Sequence, residues 1–363
     1  MSDILGGNSL HIATNAILAS RVRVPMDRCR SGMRVAKTIF NNCGAIIINE
    51  NTVLDDSMIK ILKKIGIEEI TVFEQYDSYI TVNPSEAFEA NYKRNLNAIR
   101  HVFADLYSGK PISVEDINSI SDSIYEAGGN VGELIKSVNN TREADEYIYT
   151  HSLNVSMMSM LIARWADYGN EEVRMLIKSG LLHDIGKVKV DKIILEKSGR
   201  LSIGEYLQAK QHSRYGYEMI VGKPGVTDDI CMGVLMHHER ENGSGYPLQL
   251  KGDRIHGFAK IIAVADVFDA MSSNRTYRKG QSPFSIFDQF ETGVINNLDS
   301  VAISVFLKHA PTFYIGDKFF LDNGEVGEVV SINPNRVARP LIRVGDRYID
   351  LSKDDTIKLG QMI

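Results

Sequence analysis

The sequence predicts a mainly α-helical protein, a helical bundle flanked by a small N-terminal α/β domain and a C-terminal β appendage. Three observations carry this expectation. Apolar residues recur at helical spacing from about residue 83 to 310. Before that stretch, short β-branched runs alternate with one amphipathic segment. After it, the pattern switches to strands around an Asn-Gly turn. We therefore divide the 363 residues into 1–82, 83–310 and 311–363.

In the first part, Ala45-Ile46-Ile47-Ile48 and Glu69-Ile70-Thr71-Val72-Phe73 read as strands. Between them, Met58, Ile59, Ile61, Leu62 and Ile65 mark a helix starting near Asp55. Arg21, Arg23, Arg28, Arg30 and Arg34 form an Arg-rich stretch. It reads as a solvated face, because no glycine-rich phosphate loop accompanies it.

The bundle opens at Asn83-Pro84-Ser85-Glu86, with a capping Asn, Pro at the first helical position and Glu at the third. Phe88, Tyr92, Leu96, Ile99, Phe103 and Leu106 follow, and Gly109 and Pro111 stop the helix. Ser113-x-x-Asp116 starts the next helix and Gly128-Gly129 ends it. Further helices are expected over 131–139, 143–168, 171–184, 203–221, 228–239, 258–273, 283–293 and 299–309. Ser202-x-x-Glu205 is a capping box. In the last part, Asp317–Leu321 and Glu325–Ser331 flank the Asp322-Asn323-Gly324 turn, and 339–344 and 348–351 add strand-like runs.

Composition excludes several classes. Forty-one Lys and Arg against 46 Asp and Glu leave a net charge of −5, without the basic excess of a dedicated binder of duplex DNA or RNA. Cys29, Cys43 and Cys231 are odd in number and form no C-x-x-C pair, which favours a reducing compartment. No apolar run is long enough to span a membrane, and the first residues lack the pattern of a signal peptide. We expect a cytoplasmic protein.

Five of the nine histidines, His151, His183, His212, His237 and His238, fall on different expected helices or at their ends. Asp184 follows the apolar Leu181-Leu182 pair, and Asp266 interrupts Ile261–Ala265. Carboxylates buried there are costly unless paired or bound to metal. Imidazoles and carboxylates on facing helices are a common way to build a metal site in a bundle. The absence of thiolate suits Fe, Mn, Zn or Ni. His101, His256 and His309 stand alone and read as packed or exposed. After His237-His238-Glu239 the chain runs into a Gly-rich loop ending Gly245-Tyr246-Pro247, whose backbone is able to approach a phosphate and whose Tyr246 is able to stack on a base.

His183-Asp184-Ile185-Gly186-Lys187, His237-His238-Glu239 and Gly245-Tyr246-Pro247 resemble the HD-GYP domain, a branch of the HD phosphohydrolases. Asp266-Val267-Phe268-Asp269-Ala270-Met271, followed by Asn274–Arg278, matches its pattern too, and the resemblance covers about residues 140–310. It implies a helical bundle that holds two or three metals, usually iron or manganese, and hydrolyses cyclic di-GMP. Carried over residue by residue, His151, His183 and Asp266 would hold one metal, His212, His237 and His238 the other, and Asp184 would bridge them. Lys187 would touch the scissile phosphate or the leaving oxygen, Arg275 and Arg278 would hold the second phosphate, and Asp269 would orient a ligand His.

Two departures matter. Where some members carry a Glu four residues before the first ligand His, this chain has Tyr147, so a dinuclear site is expected; where the loop often has Asp, it has Asn242. The expected activity is hydrolysis of cyclic di-GMP to pGpG or GMP through two divalent ions, Fe or Mn, and a bridging hydroxide. The linear pGpG is an alternative substrate. Two other readings remain open: hydrolysis of another nucleotide, and a signalling module that binds a cyclic dinucleotide with little turnover. The N-terminal domain is expected to serve homodimerisation, protein partners or access to the site.

Overall fold

The computed structural model describes residues 21–40, 46–48, 50, 52, 54, 56–73, 84–127, 147–197, 199–273 and 279–363. The expected caps at Asn83 and Gly128-Gly129, the helix over 131–139, Cys43, and Arg275 and Arg278 lie outside them.

The N-terminal part contains two small antiparallel pairs and one helix. Strand β1 (Arg21–Pro25) pairs with β4 (Glu69–Phe73), Arg21 facing Phe73 and Pro25 facing Glu69. Strand β2 (Ile39–Phe40) pairs with β3 (Ile46–Ile48), and α1 (Asp56–Lys64) crosses between. Met26, Val35, Ile47, Leu54, Leu62, Ile70 and Val72 close a core of their own. Arg21 and Arg23 pair with Glu50 and Glu69 at the surface, as a solvated face should.

The bundle comprises α2 (Pro84–Tyr107), α3 (Val114–Ala127), α4 (Tyr147–Trp165), α5 (Asn170–Leu182), the short α6 (Lys192–Leu195), α7 (Ile203–Lys210), α8 (His212–Ile220), α9 (Asp228–Met236), α10 (Gly257–Ser272), α11 (Pro283–Glu291) and α12 (Ser300–His309). Helix α4 is central, and every residue from Thr150 to Ala163 is buried. A helix covered on all sides belongs in the middle of a bundle. Its small residues let neighbours approach: a Cβ on Gly180 of α5 would sit 2.7 Å from Ser156 Cα.

The stretch 203–221 is not one helix. It breaks at Gln211, so His212 begins α8 instead of lying mid-helix. The cause is a close crossing: Gly186 lies in a 3-10 turn (Ile185–Lys189), and a Cβ there would come within 2.0 Å of His212 O and 2.4 Å of Gly216 N. The capping box at Ser202 and Glu205 is present.

Five C-terminal strands form one antiparallel sheet in the order β8 (Arg347–Asp350), β7 (Arg336–Val344), β6 (Val326–Asn333), β5 (Lys318–Leu321), β9 (Leu359–Met362). Gly324, at φ +87°, makes the β5–β6 turn at the predicted place. Strand β9 was not anticipated: four residues including a glycine give no alternation to read, and pairing with β5 defines it. Phe319, Leu321 and Val329 share one continuous core with the bundle, with Phe319 against Phe284 of α11. Among the described residues no helix is long and apolar enough to cross a membrane.

Candidate metal centre

Five helices meet around one buried cluster. Helix α4 supplies His151; the end of α5 supplies His183 and, one residue beyond, Asp184. The first residue of α8 is His212, the end of α9 leads into His237 and His238, and α10 carries Asp266. These seven residues fall into two groups. His151, His183 and Asp266 form one, Asp184, His212, His237 and His238 the other, and the nearest donor atoms within each lie within 4.8 Å of one another.

Asp184 stands between the groups. Its Oδ2 is 3.5 Å from His151 Nε2 and 3.4 Å from His183 Nε2, while its Oδ1 is 3.3 Å from His212 Nε2. The two oxygens of one carboxylate thus face two sets of imidazoles. Oδ1 is buried without a hydrogen-bond partner. Such an atom costs free energy unless something electropositive meets it.

The imidazoles are pre-oriented. Nδ1 of His183, His212 and His237 lies 2.7–2.8 Å from the carbonyl oxygens of Gly180, Ala209 and Val234, three residues earlier in each case. A carbonyl only accepts, so each Nδ1 carries the proton and each Nε2 presents a lone pair inward. The Nε2 atoms of His212 and His237 are 3.2 Å apart. With both protons on the outer nitrogens, no hydrogen bond forms between them. A cation shared by both resolves the repulsion, and two nitrogens bound at about 2.1 Å to one ion stand about 3 Å apart.

Burial and the neighbouring imidazoles push His212, His237 and His238 below the usual histidine range, which keeps them in the neutral, ligating form. His151 differs. Burial would lower it, but hydrogen bonds and charge from Asp266 and Asp269 prevail and raise it to about 9. Burial would likewise raise Asp184, yet the Lys187 ammonium and the His183 and His212 imidazoles hold it well below the carboxylate range. Asp266 is also held low, mainly by His151 against its own burial. The donor set, all imidazole and carboxylate, fits hard or borderline divalent ions.

A supporting network fixes His151. Asp269 Oδ2 accepts from His151 Nδ1 at 2.7 Å, Asp269 Oδ1 accepts from Asn154 Nδ2 at 2.6 Å, and Asn154 Oδ1 accepts from the Tyr92 hydroxyl at 3.0 Å. Tyr147 stacks on His151 with ring centroids 5.2 Å apart and planes 14° from parallel.

The other expected residues are placed as follows. Lys187 Nζ donates to Asp184 Oδ2 at 2.5 Å, at the edge of the cluster. Tyr246 packs over His238 with centroids 4.6 Å apart and meets His212 edge-on at 6.2 Å. Gly245 has a backbone role: a Cβ there would come within 2.4 Å of Glu239 Cα, so only glycine lets the loop fold back onto the helix end. Pro247 follows through a cis peptide bond. Arg275 and Arg278 lie outside the described residues. Sequence reasoning left Glu239 without a task, although it is part of the quoted motif. Its buried carboxylate accepts from Leu248 N at 2.6 Å and Leu250 N at 3.0 Å and staples the loop that carries Tyr246. The role of Asn154 had no signal, since a polar residue within an apolar helix has many explanations.

Two facing groups of imidazoles and carboxylates, joined by one Asp at the helix end, define a metal-binding helical domain. Residues 136–296 match the sequence profile described as HD domain. The matched region contains the His183-Asp184, His237-His238 and Gly245-Tyr246-Pro247 motifs whose resemblance to the HD-GYP branch is read from the sequence. The cyclic di-GMP phosphodiesterase PA4108 of Pseudomonas aeruginosa is 29% identical over 247 residues, 68% of this chain and 59% of that protein. The 3'3'-cGAMP-specific phosphodiesterase 1 of Vibrio cholerae is 34% identical over 47% of this chain and 39% of its own length. The cyclic di-GMP phosphodiesterase response regulator RpfG of Xanthomonas campestris is 40% identical over 34% of this chain and 33% of its own length. The chain thus spans between a third and about 60% of these relatives. Bd1817, an HDG"Y"P protein from Bdellovibrio bacteriovorus, shares the fold at a TM-score of 0.52 and 15% identity, over 79% of this chain and 98% of that one.

Proposed function

We propose that this chain is a metal-dependent phosphodiesterase that cleaves cyclic di-GMP to pGpG or GMP at a dinuclear site. The observation that carries the reading is Asp184, whose two carboxylate oxygens face two separate groups of Nε2 lone pairs. In this reading His151, His183 and Asp266 hold one ion, His212, His237 and His238 the second, and Asp184 both. Fe or Mn suits the donor set. Two such ions would lower the pKa of a water and offset the charge of a phosphodiester. Tyr147, stacked on His151, occupies the turn from which a further carboxylate would reach the site in relatives with a third metal, which favours two.

The chain's own residues supply the rest. Lys187 brings a cation to the edge of the cluster beside Asp184 and neutralises charge on the scissile phosphate or leaving oxygen. Glu239 fixes the loop so that Tyr246 walls the site beside His238. Arg275 and Arg278 are assigned to the second phosphate. The three-part division at 82 and 310, with the N-terminal part serving dimerisation, partners or access, belongs to the same proposal.

The test is turnover by the full chain loaded with Mn2+ or, anaerobically, Fe2+. Cleavage of cyclic di-GMP, lost in Asp184→Ala, is expected. No cleavage of cyclic di-GMP, pGpG or 3'3'-cGAMP would refute the reading. A second reading keeps the chemistry and changes the base: three V. cholerae relatives are 3'3'-cGAMP-specific phosphodiesterases. A kcat/KM that favours 3'3'-cGAMP would select it.

A further inference from the structure

We propose that Lys210 and Tyr206, on the helix before His212, form a subsite for the part of the substrate that does not react: Lys210 for its second phosphate, Tyr206 for the adjoining base. This rests on the phosphodiesterase reading above. Lys210 Nζ lies over the Tyr246 ring at 4.9 Å and over the Tyr206 ring at 4.4 Å. Tyr246 in turn packs against His238 of the metal cluster. The order His238, Tyr246, Lys210, Tyr206 leads from buried donors to a ring that is 50% exposed. Leu207, beside Tyr206, is 54% exposed.

Several lysines of the bundle have carboxylate partners: Lys187 with Asp184, Lys197 with Glu205, Lys260 with Glu241 and Asp299. Among the described residues no carboxylate lies within ion-pairing distance of Lys210, and two aromatic faces hold it in place. A positioned ammonium without an anion, one ring away from a phosphodiester-cleaving centre, is complementary to a second phosphate. A cyclic dinucleotide carries two phosphates, of which the metal groups engage one. Tyr206, exposed beside the ammonium, offers the face on which a base stacks.

The experiment uses the full, metal-loaded chain and two substrates: cyclic di-GMP, and bis(p-nitrophenyl) phosphate, which has one phosphodiester and no second phosphate. Lys210→Gln is expected to raise KM for cyclic di-GMP about 10- to 30-fold, with kcat within about threefold. The ratio of kcat/KM on cyclic di-GMP to that on bis(p-nitrophenyl) phosphate should fall about tenfold. Lys210→Arg should recover most of the loss, and Tyr206→Phe, unlike Tyr206→Ala, should keep the wild-type KM. An unchanged ratio in Lys210→Gln overturns this proposal, whether both activities fall together or neither moves. Wild-type turnover of bis(p-nitrophenyl) phosphate without turnover of cyclic di-GMP overturns it as well. Turnover of neither substrate by the wild type overturns the phosphodiesterase reading on which it rests.

Discussion

Asp269→Ala should weaken one of the two metal groups and spare the other. Asp269 is buried and accepts two hydrogen bonds, from His151 Nδ1 and Asn154 Nδ2, at 2.7 and 2.6 Å. Of the seven cluster residues, the one it hydrogen-bonds is His151. Each bond to a charged acceptor is worth about 1.5–3 kcal/mol, and the truncation leaves two buried donors unmatched. Part of that loss falls on stability. The part that falls on ligation releases the His151 ring from its tautomer and orientation. Loss of such a partner costs about 10–100-fold in metal affinity, or about 1.4–2.8 kcal/mol. In the group of His212, His237 and His238, the first two keep their own carbonyl partners, and the group should be unaffected. The assay is chelator competition followed by metal analysis of the full chain, with thermal unfolding as a check on folding. The expected result is one ion lost at a chelator concentration that leaves two in the wild type. Equal weakening of both sites, or of neither, would refute the assignment of Asp269 to His151 alone.

Three further outcomes follow from the same geometry. Gly186→Ala places a methyl 2.0 Å from His212 O and should cost about 3 kcal/mol or more in urea unfolding, with loss of the second metal, because backbone is what must move. Glu239→Ala frees the N–H groups of Leu248 and Leu250 and should cost about 2–4 kcal/mol and expose the 241–252 loop to limited proteolysis; an unchanged cleavage rate would show that the carboxylate does not hold the loop. His309, stacked on Trp165 with centroids 5.1 Å apart, is lowered to about 4 by burial and by Lys308. The unfolded chain therefore takes up a proton near pH 6.5 that the folded chain refuses until about pH 4, so stability is retained above 6.5 and lost as pH falls through that window. His309→Phe should remove about 1–2 kcal/mol of this pH dependence, after allowance for solvent at a half-buried position, read as urea midpoints at pH 7 and 4.5 by the emission of the single Trp.

The site was legible in the sequence to a greater degree than the elements that build it. His183-Asp184 and His237-His238 stand out because a polar pair at the end of an apolar helix needs a partner, and both pairs do enter the cluster. The break at Gln211 was hidden, because no Gly or Pro marks it and helix-forming residues run through Lys210 and Gln211; the crossing at Gly186, a tertiary contact, accompanies it. The tie from Tyr92 through Asn154 and Asp269 to His151 joins residues up to 177 positions apart, and no local pattern encodes such a link. Strand β9 likewise exists only through its pairing with β5. Local chemistry shows in the sequence wherever it breaks a local pattern. Contacts that depend on close approach of distant backbone do not.

Metal stoichiometry of the full chain tests the central claim most directly. After anaerobic loading with Fe2+ or Mn2+ and removal of free ion, the account predicts two ions per chain in the wild type. It predicts a marked loss of both in Asp184→Ala, since that carboxylate faces both groups. One ion per chain, or two that remain bound in Asp184→Ala, would contradict a dinuclear centre joined by Asp184.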